Sequence, residues 1–190
     1  QEEDMQGLYR YTFGLYDGDT VVHQILPDLN AVAVFPINKD IKLVVDDHFT
    51  DVRITPLIRS IWTYLHRKSF IGMSKKLYGY FHDKKLELFA FSKNRFKFYN
   101  SFELDSSRDA VYFIMYVWEQ LGMDKTSDEL HLVGDIVDSD GLKISLLQFI
   151  YKVYINNPAA DFNSAPITAV SGLPYDLITL FAKGTKGTEC

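Results

Sequence analysis

Two short stretches carry the residue types that phosphate and metal chemistry needs. His82-Asp83-Lys84-Lys85 places a carboxylate in a tight turn between apolar runs, and Leu132-Val133-Gly134-Asp135 ends an apolar run on a glycine followed by a carboxylate. A carboxylate in such a place can order Mg²⁺ or its waters, and a glycine lets backbone N–H groups approach phosphate oxygens. Asp17-Gly18-Asp19-Thr20 holds the same types in another order, and that order is also ordinary hairpin-turn chemistry. A third feature is basic. From Lys75 to Lys97, seven basic residues (Lys75, Lys76, Lys84, Lys85, Lys93, Arg95, Lys97) stand against Asp83 and Glu87, a local charge of +5. Strand alternation puts Arg95, Lys97 and Tyr99 on one face and Phe96 and Phe98 on the other. Lys84, Lys85, Arg95, Lys97 and Tyr99 therefore form a candidate contact surface for RNA or an acidic protein, with Tyr78, Tyr80 and Tyr99 as stacking groups. The plainer reading of the same residues is a solvated face whose lysines guard an edge strand against aggregation.

Other chemistry lacks its residues. The five histidines, His23, His48, His66, His82 and His131, show no i, i+4 pair with a glutamate partner, and His131 lies inside an apolar run as a satisfied core histidine would. There is no G-x-S-x-G elbow, Walker loop or G-x-G-x-x-G, so a serine hydrolase, a P-loop enzyme and a Rossmann dehydrogenase have no support. The single cysteine is Cys190, which excludes an intrachain disulfide and a cysteine-based zinc site and fits a reducing cytoplasm. The 190 residues are 47% hydrophobic and 24% charged, ordinary for a globular protein, and the net charge of −5 is a poor field for a polyanion. No apolar run approaches the roughly 18 to 20 residues that cross a bilayer. The chain opens Gln1-Glu2-Glu3-Asp4 without methionine, so it is expected to lack its natural start.

The elements that must position these residues fall into two groups. In the first, residues 8 to 15 are aromatic and β-branched and precede the Asp17-Gly18-Asp19 turn and the run Val21 to Leu26, which predicts a hairpin. Ala31 to Pro36 reads as a strand covered on both faces, Asn38 as the N-cap of a helix through Val45, Asp51 to Ile54 as a short strand, and Thr55-Pro56 as the start of a helix to Lys68. In the second, Leu77 to His82, Lys85 to Phe91 and Arg95 to Asn100 form a meander joined at Asp83-Lys84 and Ser92-Lys93-Asn94. Asp105-Ser106-Ser107 caps a helix that ends at Gly122 and is apolar almost all round, so it should be covered by another layer, lobe or protomer. Leu130 to Gly134 is a strand and Ser139-Asp140 starts a helix bearing Leu142, Leu146, Leu147, Ile150 and Val153. Pro166 to Ala169 reads as a last strand, and Pro174 starts a final helix. The order β-β-β-α-β-α-β-α requires an α/β fold with a mixed sheet, because the later strands need crossovers. The expected domains are residues 1–69 and 70–190.

That order is the topology of ribonuclease H-like domains and, in duplicate, of the actin-like ATPases. The stretches Tyr80-Phe81-His82-Asp83-Lys84-Lys85-Leu86-Glu87-Leu88, Lys97-Phe98-Tyr99-Asn100-Ser101-Phe102-Glu103, Asp109-Ala110-Val111-Tyr112-Phe113 and Leu130-His131-Leu132-Val133-Gly134-Asp135 resemble DUF3822, a family of uncharacterised proteins found chiefly in Bacteroidetes. The resemblance implies an actin-like fold of two ribonuclease H-like lobes whose first lobe is incomplete here, and it brings no established activity. Actin-like ATPases hold phosphates with D-x-G turns and admit adenosine at a Gly-Gly pair. Here no glycine follows Asp83, and Asp135 stands where a second glycine would, beside the polyphosphate. The expected function is therefore a non-catalytic binding or assembly module with degenerate nucleotide motifs. Weak binding of ATP with Mg²⁺ stays open, with Asp83, Gly134 and Asp135 as the nearest candidates, and so does a weak ATPase. A metal-dependent nuclease is a further alternative, in which Asp83 and Asp135, with Asp109 or Glu119 from the helix, would hold two Mg²⁺ about 4 Å apart. The expected partner is an unidentified protein or a second copy, and no membrane.

Overall fold

The computed structural model describes residues 2–92, 95–162 and 165–183. Contacts divide the chain into two compact units, Gln1–Arg59 and Ser60–Cys190. The first unit contains helix α1 (Glu2–Phe13), strand β1 (Asp19–Leu26), a 3-10 turn (Pro27–Leu29), strand β2 (Ala31–Asn38) and helix α2 (Lys39–His48). β1 and β2 pair antiparallel from Asp19↔Asn38 to Leu26↔Ala31 as a two-stranded sheet. Residues 8 to 13 are thus helical and not a strand. The aromatic composition that suggested a strand is used at helical spacing: Tyr9 and Phe13 meet at 5.1 Å, and Thr12 Oγ1 donates to the Leu8 carbonyl. Gly14, at φ +72, ends α1 with its N–H on the Arg10 carbonyl. Asp17-Gly18-Asp19 leads from α1 into β1, and the hairpin is β1–β2 instead.

Asn38 does cap α2, its side chain accepting from the N–H groups of Asp40 and Ile41. The double-sided cover expected over β2 is absent, because no β2 residue is buried, and no α2 residue is buried either. Val21, Leu26 and Leu29 are the buried apolar residues of this unit, while Tyr11, Phe13, Ile41 and Leu43 are exposed. A two-stranded sheet has too little surface to cover both of its faces. Asp51 to Ile54 forms no strand, since no partner strand runs beside it.

The second unit holds helix α3 (Arg59–Ser69, all but its first residue), strands β3 (Lys76–His82), β4 (Lys85–Ser92) and β5 (Arg95–Glu103), helix α4 (Ser107–Gln120), strand β6 (Glu129–Gly134), helix α5 (Ser139–Leu147), strand β7 (Val153–Ile155), helix α6 (Pro158–Asp161), a 3-10 turn (Pro166–Ala169) and helix α7 (Tyr175–Lys183). The sheet order is β5-β4-β3-β6-β7, antiparallel across the meander and parallel at β3–β6 and β6–β7. This is the β-β-β-α-β-α-β-α order read from the sequence, with one substitution. The last strand is Val153–Ile155, and Pro166–Ala169 is helical. Val153 stands at helical spacing from Ile150, yet it opens the strand. The Ser92-Lys93-Asn94 turn and Cys190 include or lie among residues outside the described ones.

Each sheet face has its own cover. Leu77, Phe81, Leu86, Leu88, Leu130 and Leu132 pack against Ala110, Ile114, Val117 and Trp118 of α4 and Leu142 and Leu146 of α5. On the other face Trp62 of α3 meets Phe96 at 5.2 Å, and His66 meets Phe91 at 5.0 Å. α4 is not buried all round. Tyr112 and Tyr116 project outward, stacked at 6.4 Å and at least half exposed. Among the described residues no helix is long and apolar enough to cross a membrane.

Candidate functional site

The C-terminal ends of β3 and β6 and the N-terminal ends of α4 and α5 border an open cleft of about 560 Å³. Phe81, Leu104, Ala110, Ile136 and Leu142 give it an apolar floor, and Asp83, Asp105, Asp135 and Asp138 stand around it with Lys84, Lys85 and His82. Asp83 and Asp135, read from the sequence as site candidates, thus border one cleft. Their ends of the sheet are joined directly, because the Asp135 N–H donates to the Phe81 carbonyl at 2.9 Å.

What these residues can do is narrower than their types suggest. The Asp83 side chain is 91% exposed, at the tip of its turn. Asp138 is engaged by the Gly141 N–H, and Asp109 accepts from the N–H groups of Asp105 and Ser106, as the N3 member of the capping box that Ser106 opens. Glu119 lies in the last turn of α4, the end away from the cleft. Among the described residues no group of three or more His, Cys, Asp or Glu side chains converges to hold a metal ion. The third carboxylate that the nuclease alternative requires is therefore not brought to Asp83 and Asp135. Gly134 has a structural duty of its own: at φ +98, a Cβ there would lie 2.2 Å from the Phe81 carbonyl oxygen.

The turn itself is unusual. Asp83 (φ 46) and Lys84 (φ 60) both occupy the left-handed region between paired His82 and Lys85, the geometry of a type I′ hairpin whose second residue is usually glycine. Lys84 is exposed. Lys84→Gly is accordingly expected to stabilise the chain by about 1 kcal/mol, the side-chain strain relieved less the added freedom of the unfolded chain. A denaturant midpoint that does not rise would refute this.

Sequence reading missed a network beside the cleft. Glu87, buried within β4, accepts from Tyr99 Oη at 3.0 Å and engages His82 Nε2 at 2.9 Å. His82 Nδ1 lies 3.3 Å from Asp83 Oδ2. Burial first, and then the Glu87 carboxylate, raise the Tyr99 hydroxyl pKa. The signal was present: a two-residue turn pairs Tyr80 with Glu87, which sets His82 diagonal to Glu87 on the same face.

The basic surface is rearranged as well. The β4–β5 register passes from Ala90↔Phe98 to Phe91↔Phe96, leaving Lys97 as the extra residue of a bulge. Phe96 and Tyr99 consequently share the face of Trp62, at 5.2 and 5.3 Å, while Phe98 packs with the core on the other side. The predicted grouping of Arg95, Lys97 and Tyr99 on one face is thereby overturned. Tyr78 and Tyr80 are each 1% exposed and are not stacking platforms. Arg95 and Lys97 are exposed on the edge strand, and Lys84 and Lys85 border the cleft. His131 is partnered and partly buried, with Nε2 2.9 Å from Glu129 Oε2.

A family model for proteins of unknown function, DUF3822, matches residues 1–153. The chain is similar to a Bacteroides thetaiotaomicron VPI-5482 protein with actin-like ATPase fold and unknown function, at TM-score 0.77 and 28% identity over 90% of this chain and 66% of that one. Archaeoglobus fulgidus Pelota aligns at TM-score 0.32 and 9% identity, over 95% of this chain and 63% of that one. No curated protein matches. The mixed sheet of the second unit and the Bacteroides likeness together make this an actin-like ATPase fold.

Proposed function

The chain belongs to the DUF3822 family, and from that premise we propose that it is a non-catalytic binding or assembly module built on an actin-like scaffold with a degenerate nucleotide site. The composition of the cleft carries this reading. Four aspartates border it against two lysines, the turn after β3 offers no glycine, and Gly134 is engaged in the β3–β6 junction. A polyphosphate would meet repulsion there that only a bound cation or further lysines could offset. The partner is an unidentified protein or a second copy of the chain, a reading supported by the exposed Tyr112 and Tyr116 of α4. The lone cysteine at the last position favours the cytoplasm.

The second reading is weak binding of ATP with Mg²⁺, and it draws on Asp83 and Asp135 bordering the same cleft. Thermal unfolding separates the two. A ligand at a hundred times its Kd adds about 2.7 kcal/mol, a rise of roughly 5 to 10 °C for a chain of this size. The expected outcome is an unchanged Tm in millimolar ATP and Mg²⁺, and a rise of several degrees would replace the first reading with the second.

A further inference from the structure

His82 stands between two carboxylates of different character. Its Nε2 meets the buried Glu87, which Tyr99 holds from the far side, and its Nδ1 meets Asp83 on the exposed turn. A neutral imidazole has one N–H, so one of the two carboxylates must then face a lone pair; the imidazolium offers an N–H to each. The weaker contact is the longer, exposed one to Asp83, and it belongs to a turn already strained at two non-glycine residues. That turn is cleft wall: the Lys84 carbonyl accepts the Leu104 N–H at 2.8 Å, and both residues line the cavity.

We propose that protonation of His82 fixes the Asp83–Lys84 turn and so sets the shape of the cleft wall, a pH-dependent device that rests on the cleft being the binding site. In the protonated state the ring ties the turn to Glu87, and on deprotonation the Asp83 contact is released while the Glu87 contact persists. The groups around His82 agree with this order. The Tyr80 ring stacks on it at 4.6 Å from β3, Lys85 is its register partner on β4, and Asp135, which follows the paired end of β6, borders the same cleft. Asp176 of α7 acts on the Tyr80 hydroxyl, whose pKa is raised by burial first and then by that carboxylate. The Glu87 hydrogen bond raises the His82 pKa above the ordinary histidine value, burial opposes it, and Asp83 adds to the rise. Because the folded-state pKa is raised, the tie is complete on the acid side and is lost as pH rises through it.

Amide hydrogen exchange at Leu104, corrected for its intrinsic pH dependence, tests this without any ligand. Protection in the unaltered chain is expected to fall by roughly tenfold as pH rises through the His82 titration. In Asp83→Asn, a change at an exposed side chain whose amide can meet either state of the ring with its oxygen or its NH₂, protection should be flat with pH, and in His82→Gln it should also be flat. Protection that does not change with pH in the unaltered chain, or an equal fall in either variant, would overturn the proposal. Either result is independent of the ATP measurement, so the failure of one leaves the other standing.

Discussion

Gly134→Ala should remove most of the stability of the second unit. The backbone at this position lies at φ +98, a region that side-chain-bearing residues rarely adopt, and the added Cβ would stand 2.2 Å from the Phe81 carbonyl oxygen and 2.9 Å from the Tyr80 ring. Neither neighbour can yield cheaply. The carbonyl is backbone and already accepts the Asp135 N–H, and Tyr80 is 1% exposed in the packed face of the sheet. Backbone strain of this kind costs on the order of 1–3 kcal/mol, and displacing the end of β6 forfeits a hydrogen bond of about 1 kcal/mol as well. The expected loss is at least 3 kcal/mol, read as a lower denaturant midpoint or as failure to recover folded protein. The size of the loss also bears on function. If Gly134→Ala folded with nearly unchanged stability, the glycine would have no structural reason to be there, and the case for a ligand-admitting site would strengthen.

The parts of this fold legible in the sequence are those where local pattern and tertiary demand coincide. The meander showed because His82-Asp83-Lys84-Lys85 is too short a link for anything but a hairpin, and the runs that flank it are apolar and aromatic. Asp83 and Asp135 could be placed together because parallel neighbours end at the same edge. α1 was misread because Tyr9, Tyr11, Thr12 and Phe13 have strand-like composition, whereas the decisive signals were Gly14 and the Tyr9–Phe13 spacing. β7 has three residues, too few for any period to emerge. The bulge at Lys97 was invisible for another reason: nothing in Arg95-Phe96-Lys97-Phe98-Tyr99 breaks alternation, and the slip is imposed by Trp62 and the core each claiming a phenylalanine from opposite sides. At the site the same limit applied. Glu87, read as one acidic residue among lysines, proved to be the buried centre of the polar network because Tyr99 and His82 converge on it from neighbouring strands.

Trp118→Ala and Trp118→Phe should differ sharply, and the difference isolates what this residue contributes. Trp118 is fully buried on α4, in the cluster with Leu77, Leu130 and Leu146. Truncation to alanine removes the largest side chain of that layer, and the α4 backbone, fixed by its capping box, cannot collapse into the space. The expected cost is about 3–5 kcal/mol. The indole N–H, however, meets no acceptor among the described residues, so it contributes a desolvation penalty of about 1–3 kcal/mol. Phenylalanine deletes that penalty along with part of the ring, and the two changes oppose each other. Trp118→Phe is therefore expected to cost about 1 kcal/mol or less. Equilibrium unfolding of both variants decides the point: equal losses would mean that the indole N–H is satisfied and that α4 is held by a polar contact, whereas the predicted gap marks α4 as anchored by volume alone.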